Sequence, residues 1–395
     1  FDGSALTGFI CGSDDTAAVL AGLMRKLPLH MVPDRLLAID SLPLSRSGKV
    51  DKKALLDIAT RQSSNRAAVA PLTTSRQHDI ARLWADTLNM DVAQIGSNSN
   101  FFSLGGNSLL AMQAAMRSSG CFSIADLFEH RTLADLATYS ERAVTRRDVL
   151  RPLKNAESDL ALVCFSYAAG NSINFLPVAE HLQAKVSLYG VEPPGNDPST
   201  GQAFIGVAEL VSHCVAELQQ RGIRRIIPWG HCSGTGGAVE LVRQAKAAGL
   251  EVVGAVVSGK LLRDADVLQT QIHQNETLSD AEIVSWLVDV TGFTFDHMGD
   301  TSLTQHLACA FRNDAIEANR MLIPLWQNPR PLMDQPLLCL IAQNDPLTTD
   351  HAALAQNWQR FSQQLVTREL ADGGHYFIKS HAAEVADLVQ HALLN

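Results

Sequence analysis

Three places in this 395-residue chain put together residue types that could do chemistry. The first is Gly230-His231-Cys232-Ser233-Gly234, a thiol with a glycine two residues away on either side. The second is Asn98-Ser99-Asn100-Phe101-Phe102-Ser103-Leu104-Gly105-Gly106-Asn107-Ser108, where a double glycine leads to a hydroxyl at a helix start. The third is Ser45-Arg46-Ser47-Gly48-Lys49, a basic loop whose glycine lets the amine swing toward a ligand. Each has a plain reading beside the chemical one. Cys232 could be one more small buried apolar residue, Ser108 an ordinary helix N-cap, and Lys49 a solvated amine.

What must position Cys232 is legible around it. Ile226, Ile227 and Trp229 give an apolar strand signal, and Val239, Val242 and Ala245 give a helical one that Gly249 stops. The apex of so sharp a strand-to-helix turn is strained, and side chains at the bracketing positions would clash where helix meets strand. The thiol would then stand clear of the backbone, and the Ser233 N–H at the helix start could face a developing oxyanion. The pattern resembles the nucleophile elbow of α/β-hydrolases, normally G-x-S-x-G, with sulfur replacing the hydroxyl. Pro228 breaks a local rule, because it removes a donor from what reads as an interior strand.

Further strands are expected over Leu160 to Phe165, Val186 to Val191, Val252 to Val257 and Leu337 to Ile341, alternating with helical patterns such as Phe204 to Gln219. That alternation predicts a mostly parallel sheet covered on both faces. Ser166-Tyr167-Ala168-Ala169-Gly170-Asn171-Ser172 follows the first of these strands. In thioesterases, which this half resembles, the matching loop supplies the second oxyanion donor, here the Ala168 amide. Leu370-Ala371-Asp372-Gly373-Gly374-His375-Tyr376-Phe377 resembles the family's histidine loop and implies His375 as the base. Many terminal thioesterases place their acid where this chain has Ser258-Gly259-Lys260. That wording resembles the editing, or type II, thioesterases, whose acid follows the next strand, which implies Asp345 in Asn344-Asp345-Pro346. A turn aspartate before proline is the plain alternative. Residues 261–336 read as helical and resemble the family's lid over the pocket. His231 is expected to point away from the thiol, and His381 and His391 to be surface or packing residues.

The rest of the chain carries two more resemblances. Leu42-Pro43-Leu44-Ser45-Arg46-Ser47-Gly48-Lys49-Val50-Asp51 resembles the last core motif of nonribosomal peptide synthetase adenylation domains. Lys49 would there steady the aminoacyl-adenylate, with ATP and Mg serving only the core that this chain lacks, so adenylation is not expected of it. The Ser108 stretch closely matches the peptidyl carrier signature, which implies 4'-phosphopantetheine carried covalently on Ser108. Phe101 and Phe102 would pin the loop, and Gly105 and Gly106 would clear space beside the hydroxyl. The connection from Ser108 to Phe128 is about one helical turn shorter than is usual for carriers, which bears on the length of the second helix.

The expected organisation is therefore multidomain: a small α+β adenylation subdomain over 1–60, a linker over 61–74, a four-helix carrier domain over 75–143, a linker over 144–157, and an α/β-hydrolase thioesterase with a helical lid over 158–395. A net charge of −9 without a basic cluster speaks against nucleic acid as a partner. Seven cysteines without C-x-x-C spacing favour free thiols in a reducing compartment, a bacterial cytoplasm, over disulfides or a metal site. No apolar run is long enough to span a membrane. The start at Phe1 without Met suggests a piece of a larger protein, with condensation and adenylation core domains upstream and a phosphopantetheinyl transferase as partner.

Sulfur at position 232 suggests how release proceeds. Moving an acyl chain from pantetheine sulfur to Cys232 exchanges thioester for thioester, so the acyl group keeps its activation. Such activation favours intramolecular closure by a β-hydroxyl to a β-lactone, or by a β-nitrogen to a β-lactam. At Cys232 the chain resembles thioesterases of the obafluorin type, which form β-lactones. Hydrolytic release or type II-like editing stays open, as does an inactive docking and carrier scaffold.

Overall fold

A computed structural model describes residues 7–12, 19, 33, 35–44, 50–64, 69–106, 108–118, 120–130, 132–142, 148–182, 185–291, 301–348 and 351–394. Lys49, most of the helix expected over Ala17 to Lys26 and residues 292–300 of the expected lid lie outside them. Contacts divide the chain into two compact units, the first ending near residue 146.

In the first unit, β1 (Thr7–Ile10) and β2 (Arg35–Ala38) pair in parallel. The helix α1 (Lys52–Ser64) opens at Asp51, whose Oδ1 accepts from the N–H groups of Lys53 and Ala54 at 3.0 and 3.1 Å. It runs past position 61, where a linker was expected, because nothing in Arg61 to Ser64 breaks a helix.

The carrier-like region holds α2 (Ser75–Leu88), α3 (Ser108–Arg117), α4 (Ile124–Glu129) and α5 (Leu133–Arg142). Thr74 caps α2 by accepting from the Gln77 N–H, and Asn89 ends it in the left-handed region. Ser123 and Asp126 form a reciprocal capping box on α4. The loop before α3 is pinned as expected: the Phe101 ring packs edge-on against Trp84 at 5.3 Å, and Phe102 packs on Phe128 at 4.5 Å. A Cβ on Gly106 would fall 2.3 Å from the Phe101 ring, so this glycine makes room for that phenylalanine.

The second unit is built on a twisted sheet. Its strands are β3 (Leu150–Lys154), β4 (Leu160–Phe165), β5 (Ser187–Val191), β6 (Arg225–His231), β7 (Glu251–Val252), β8 (Ala255–Ser258), β9 (Leu337–Ala342) and β10 (Leu365–Leu370). The order is β10-β9-β8-β6-β4-β5-β3, with β7 also on β6, and β3 alone of these strands runs antiparallel. The linker expected over 144–157 is thus overturned at its second half, since Leu150–Lys154 is the edge strand beside β5. Its charged side chains and Pro152 hide the strand pattern, and an edge tolerates a proline that an interior strand would not.

Pro228 has a comparable explanation. The strand expected over Val252 to Val257 is two pieces, β7 pairing with Arg225 and Ile226, and β8 pairing from Trp229 onward. Val253 N–H donates to the Ile226 carbonyl at 3.1 Å, so Pro228, two residues on, faces the same side at the break. The missing donor falls where no strand could accept it.

Two apolar layers sandwich the sheet. On one face α6 (Leu176–His181) and α12 (Ala382–Leu393) bury Val178, Val385 and Val389 against Leu162, Ile227 and Trp229. On the other, α7 (Val207–Gln220) and α8 (Gly234–Ala247) bury Val211, Cys214, Val239 and Val242 against Val163, Ile226 and Val257. Continuous burial of the central strands is what a two-sided parallel sheet demands. The segment between β8 and β9 is helical as expected: α9 (Ala265–Thr277), α10 (Asp280–Thr291) and α11 (Thr301–Leu322).

Candidate active site

The expected sharp turn is present. β6 ends at His231, α8 starts at Gly234, and Cys232 between them has φ 54°, a left-handed conformation that is costly for a residue with a side chain. The Cys232 N–H donates to the Ser258 carbonyl at 2.8 Å, and its own carbonyl accepts from Thr235 N–H at 3.1 Å and Thr235 Oγ1 at 2.7 Å. The bracketing glycines answer to close approach: a Cβ on Gly230 would stand 2.4 Å from Thr235 Cα, and one on Gly234 2.1 Å from the Phe165 carbonyl oxygen.

Asp345 and His375 follow β9 and β10 and reach the same carboxyl edge of the sheet. Their side chains are buried, with His375 Nδ1 3.0 Å from Asp345 Oδ2. Asp345 Oδ1 accepts from the Leu347 N–H at 2.9 Å, so both carboxylate oxygens are engaged. With Nδ1–H donated to the carboxylate, Nε2 is left free to serve the Cys232 sulfur, which lines the same cavity.

The electrostatics follow from that contact. Burial pushes the Cys232 thiol up, but the charge and hydrogen bond of His375, then Lys260 and the Ser233 N–H, bring it below its ordinary value. Burial alone would lower His375, yet the Cys232 sulfur and the Asp345 carboxylate raise it to about 10. Both shifts favour the thiolate and imidazolium forms over the neutral pair. The Ser233 N–H also helps to lower the thiol. The Ala168 amide, on the cavity wall beside Cys232, has no acceptor among the described residues. A thiol, an imidazole and two backbone N–H groups close together are parts that acyl transfer needs.

Residues 161–393 match the family described as Thioesterase domain, more than half of the chain. The chain belongs to the thioesterase domain family. Residues 78–140 of this thioesterase match a second family, Phosphopantetheine attachment site. Enterobactin synthase component F of Shigella flexneri is 34% identical over 207 residues, 49% of this chain and 16% of that protein. Nonribosomal peptide synthetase dtxS1 of Metarhizium robertsii is 34% identical over 131 residues, 32% of this chain and 2% of that protein. The chain therefore spans a small part of the curated relatives it matches. The structure of BorB, a type II thioesterase from the borrelidin biosynthetic cluster, shares the fold with a TM-score of 0.51 at 23% identity, covering 63% of this chain and 99% of that one. Together these give the chain a phosphopantetheine attachment region followed by an enzyme domain, a thioesterase of α/β-hydrolase-like fold.

The thioesterase carries 4'-phosphopantetheine covalently in its carrier region. The residues there fit the group. The helix α3 starts at Ser108, and the N–H groups of a first helical turn favour a phosphate at that end.

A cavity of about 250 Å³ of empty volume lies beside the sulfur, and α10 and α11 roof it with Trp286, Leu287, Val290 and Phe311. Sequence reasoning missed four residues around it. His231 does not simply point away: its Nε2 lies 2.9 Å from the His375 carbonyl and its Nδ1 2.9 Å from Ser258 Oγ. Lys260, where an acid was first sought, reaches Asn319 Oδ1 at 3.2 Å and lends positive charge to the sulfur. Lys379 donates to the Tyr167 hydroxyl at 2.6 Å, and Tyr167 donates on to Asn174 at 2.8 Å, which stiffens the loop carrying Ala168. Burial lowers that lysine to about 8. Asp314, on α11, bonds the backbone beside Ala168. None of these pairings has a sequence spacing that could have signalled it.

Among the described residues no helix is long and apolar enough to cross a membrane.

Proposed function

We propose that Cys232, His375 and Asp345 perform terminal release of an acyl or peptidyl thioester presented from Ser108, through an acyl-thioester on Cys232. The observation that carries this reading is the Asp345–His375 hydrogen bond at 3.0 Å, with the imidazole and the Cys232 thiol of a strained turn on the wall of one cavity. The phosphopantetheine of the carrier would supply a mobile arm ending in a thiol that bears the acyl group. Cys232 thiolate attacks the acyl carbon, and the oxyanion that forms is met by the Ala168 and Ser233 N–H groups. His375 gives its Nε2 proton to the departing thiol, and Asp345 keeps the imidazole in the tautomer that this requires.

The acyl group on Cys232 is still a thioester. In the reading we favour, a β-hydroxyl of the acyl chain attacks the carbon, His375 accepts its proton, and the Cys232 sulfur leaves, closing a β-lactone; a β-nitrogen would close a β-lactam. The apolar lining of Trp286, Leu287, Val290 and Phe311 supports closure over hydrolysis, because it offers water no hydrogen-bond partner beside the acyl carbon. Hydrolytic release or editing is the second reading, supported by the position of Asp345 after β9, the arrangement that resembles type II thioesterases. An inactive scaffold would call for an imidazole far from the thiol, and here the two line one cavity.

The remaining partners belong to the same proposal: a phosphopantetheinyl transferase acting at Ser108, docking of the carrier at the thioesterase, and upstream condensation and adenylation core domains. Lys49 would contribute only once joined to such a core. The test is to load the carrier and weigh the products of wild type, Cys232→Ser and Cys232→Ala. A product lighter than the free acid by one water, lost in Cys232→Ala, is expected. Free acid alone would sink cyclisation and leave hydrolysis.

A further inference from the structure

Asp314 lies on α11, in the segment expected to roof the pocket, yet its carboxylate is committed to the loop after β4. Its Oδ2 accepts from the Ala169 N–H at 2.9 Å and from Asn196 Nδ2 at 2.7 Å, and Asn196 Nδ2 also donates to the Gly170 carbonyl at 3.2 Å. Three segments distant in sequence meet on one oxygen. Among the described residues Asp314 has no ion-pair partner, so the bond to the backbone is not a by-product of a salt bridge. Glu317, one turn further along α11, is occupied elsewhere, accepting from the Val207 N–H at 3.2 Å and pairing with Arg320 at 2.8 Å.

Ala169 has φ 57°, left-handed backbone in a residue with a side chain, which persists only where the surroundings enforce it. The Ala169 N–H belongs to the peptide plane that begins at Ala168, so fixing its direction restrains the backbone at Ala168 as well. An oxyanion donor must lie within roughly 2.7–3.1 Å of the developing charge, which leaves little room for a loop that relaxes.

We infer that Asp314 is a positioning residue for acyl transfer: from α11 it holds the 168–170 turn so that the Ala168 N–H stays aimed at the oxyanion. The inference rests on the proposed transfer to Cys232 with Ala168 as donor. It also ties the roof to the chemistry, because an α11 that moves away takes the acceptor with it.

Two measurements on the full chain separate positioning from folding: alkylation of Cys232 by iodoacetamide, which builds no oxyanion, and turnover of the 3-phenylpropionyl thioester of N-acetylcysteamine, which does. Asp314→Leu is expected to lower kcat about 10²-fold, the scale of a lost oxyanion donor, with KM and the alkylation rate within about threefold of wild type. Asp314→Asn keeps an oxygen that accepts from the Ala169 N–H and is expected to recover most of that loss. If Asp314→Leu does not fold, Asp314→Ala takes its place. Wild-type kcat in the truncated variant, equal loss of alkylation and turnover, or an asparagine variant as slow as leucine each overturns the assignment. Turnover surviving in Cys232→Ala, or absent from wild type, overturns instead the reading of Cys232 on which it stands.

Discussion

His231 Nε2 lies 2.9 Å from the carbonyl oxygen of His375, so the residue beside Cys232 holds the backbone of His375. A carbonyl only accepts, which makes Nε2 the protonated nitrogen and Nδ1 an acceptor for the Ser258 hydroxyl at 2.9 Å. Burial, then the neighbouring His375 charge, keep this imidazole well below its ordinary pKa and therefore neutral. The Trp229 indole N–H donates to the same Ser258 oxygen at 2.9 Å, completing a buried polar line from the sheet to the catalytic loop.

His231→Ala would leave the His375 carbonyl and the Ser258 hydroxyl buried with a partner missing. We expect a stability loss of about 1–3 kcal/mol in denaturant titration, the cost of a buried group left unsatisfied. A fall in kcat should accompany it, as His375 loses its anchor. Unchanged stability and kcat would refute the clamp.

The pH profile of Cys232 alkylation tests the ion pair. A depressed thiol pKa means that thiolate is present above the lowered value and is lost only as pH falls through it. A raised histidine means that imidazolium is lost as pH rises through about 10. The reactive pair occupies the window between, so wild type should alkylate fast at pH values where an ordinary thiol, with pKa about 8.5, is mostly protonated. His375→Ala leaves burial without its main opponent, and the alkylation limb should move to higher pH. Lys260→Met should move it the same way, by less.

Asp345→Asn should preserve the fold and lower kcat by about 10²–10⁴-fold, because an amide can hold the other imidazole tautomer and leave Nε2 protonated toward the sulfur. Steady-state kinetics with KM little changed would fit. A loss confined to KM would not.

Ser108→Ala should take up no phosphopantetheine from coenzyme A and a broad-specificity transferase, whereas wild type gains one group by intact mass. Turnover of a free small thioester should be unaffected in that variant, since Cys232 needs no arm to meet a diffusing substrate. Modification persisting in Ser108→Ala would move the attachment site elsewhere.

The elbow was legible because its constraint is local. A strand, a turn at φ 54° and a helix follow one another within ten residues, and the glycines that close packing demands stand at readable spacings. The sheet strands β4 and β9 were legible for a similar reason, since burial on both faces writes uninterrupted apolar runs into the sequence. β3 was not, because an edge strand with charges and a proline carries no such run.

Taken alone, the sequence determined that a thiol would sit on a strand-to-helix turn, that parallel strands would alternate with helices, and that a hydroxyl would open a helix in the carrier region. Only the tertiary structure decided that Asp345 bonds His375, that His231 holds the base from behind, and that Asp314 reaches the Ala168 loop from 145 residues away. The physical reason is distance along the chain: strain, capping and burial act between neighbours and leave a pattern, whereas a hydrogen bond between remote loops depends on where folding brings them and leaves none.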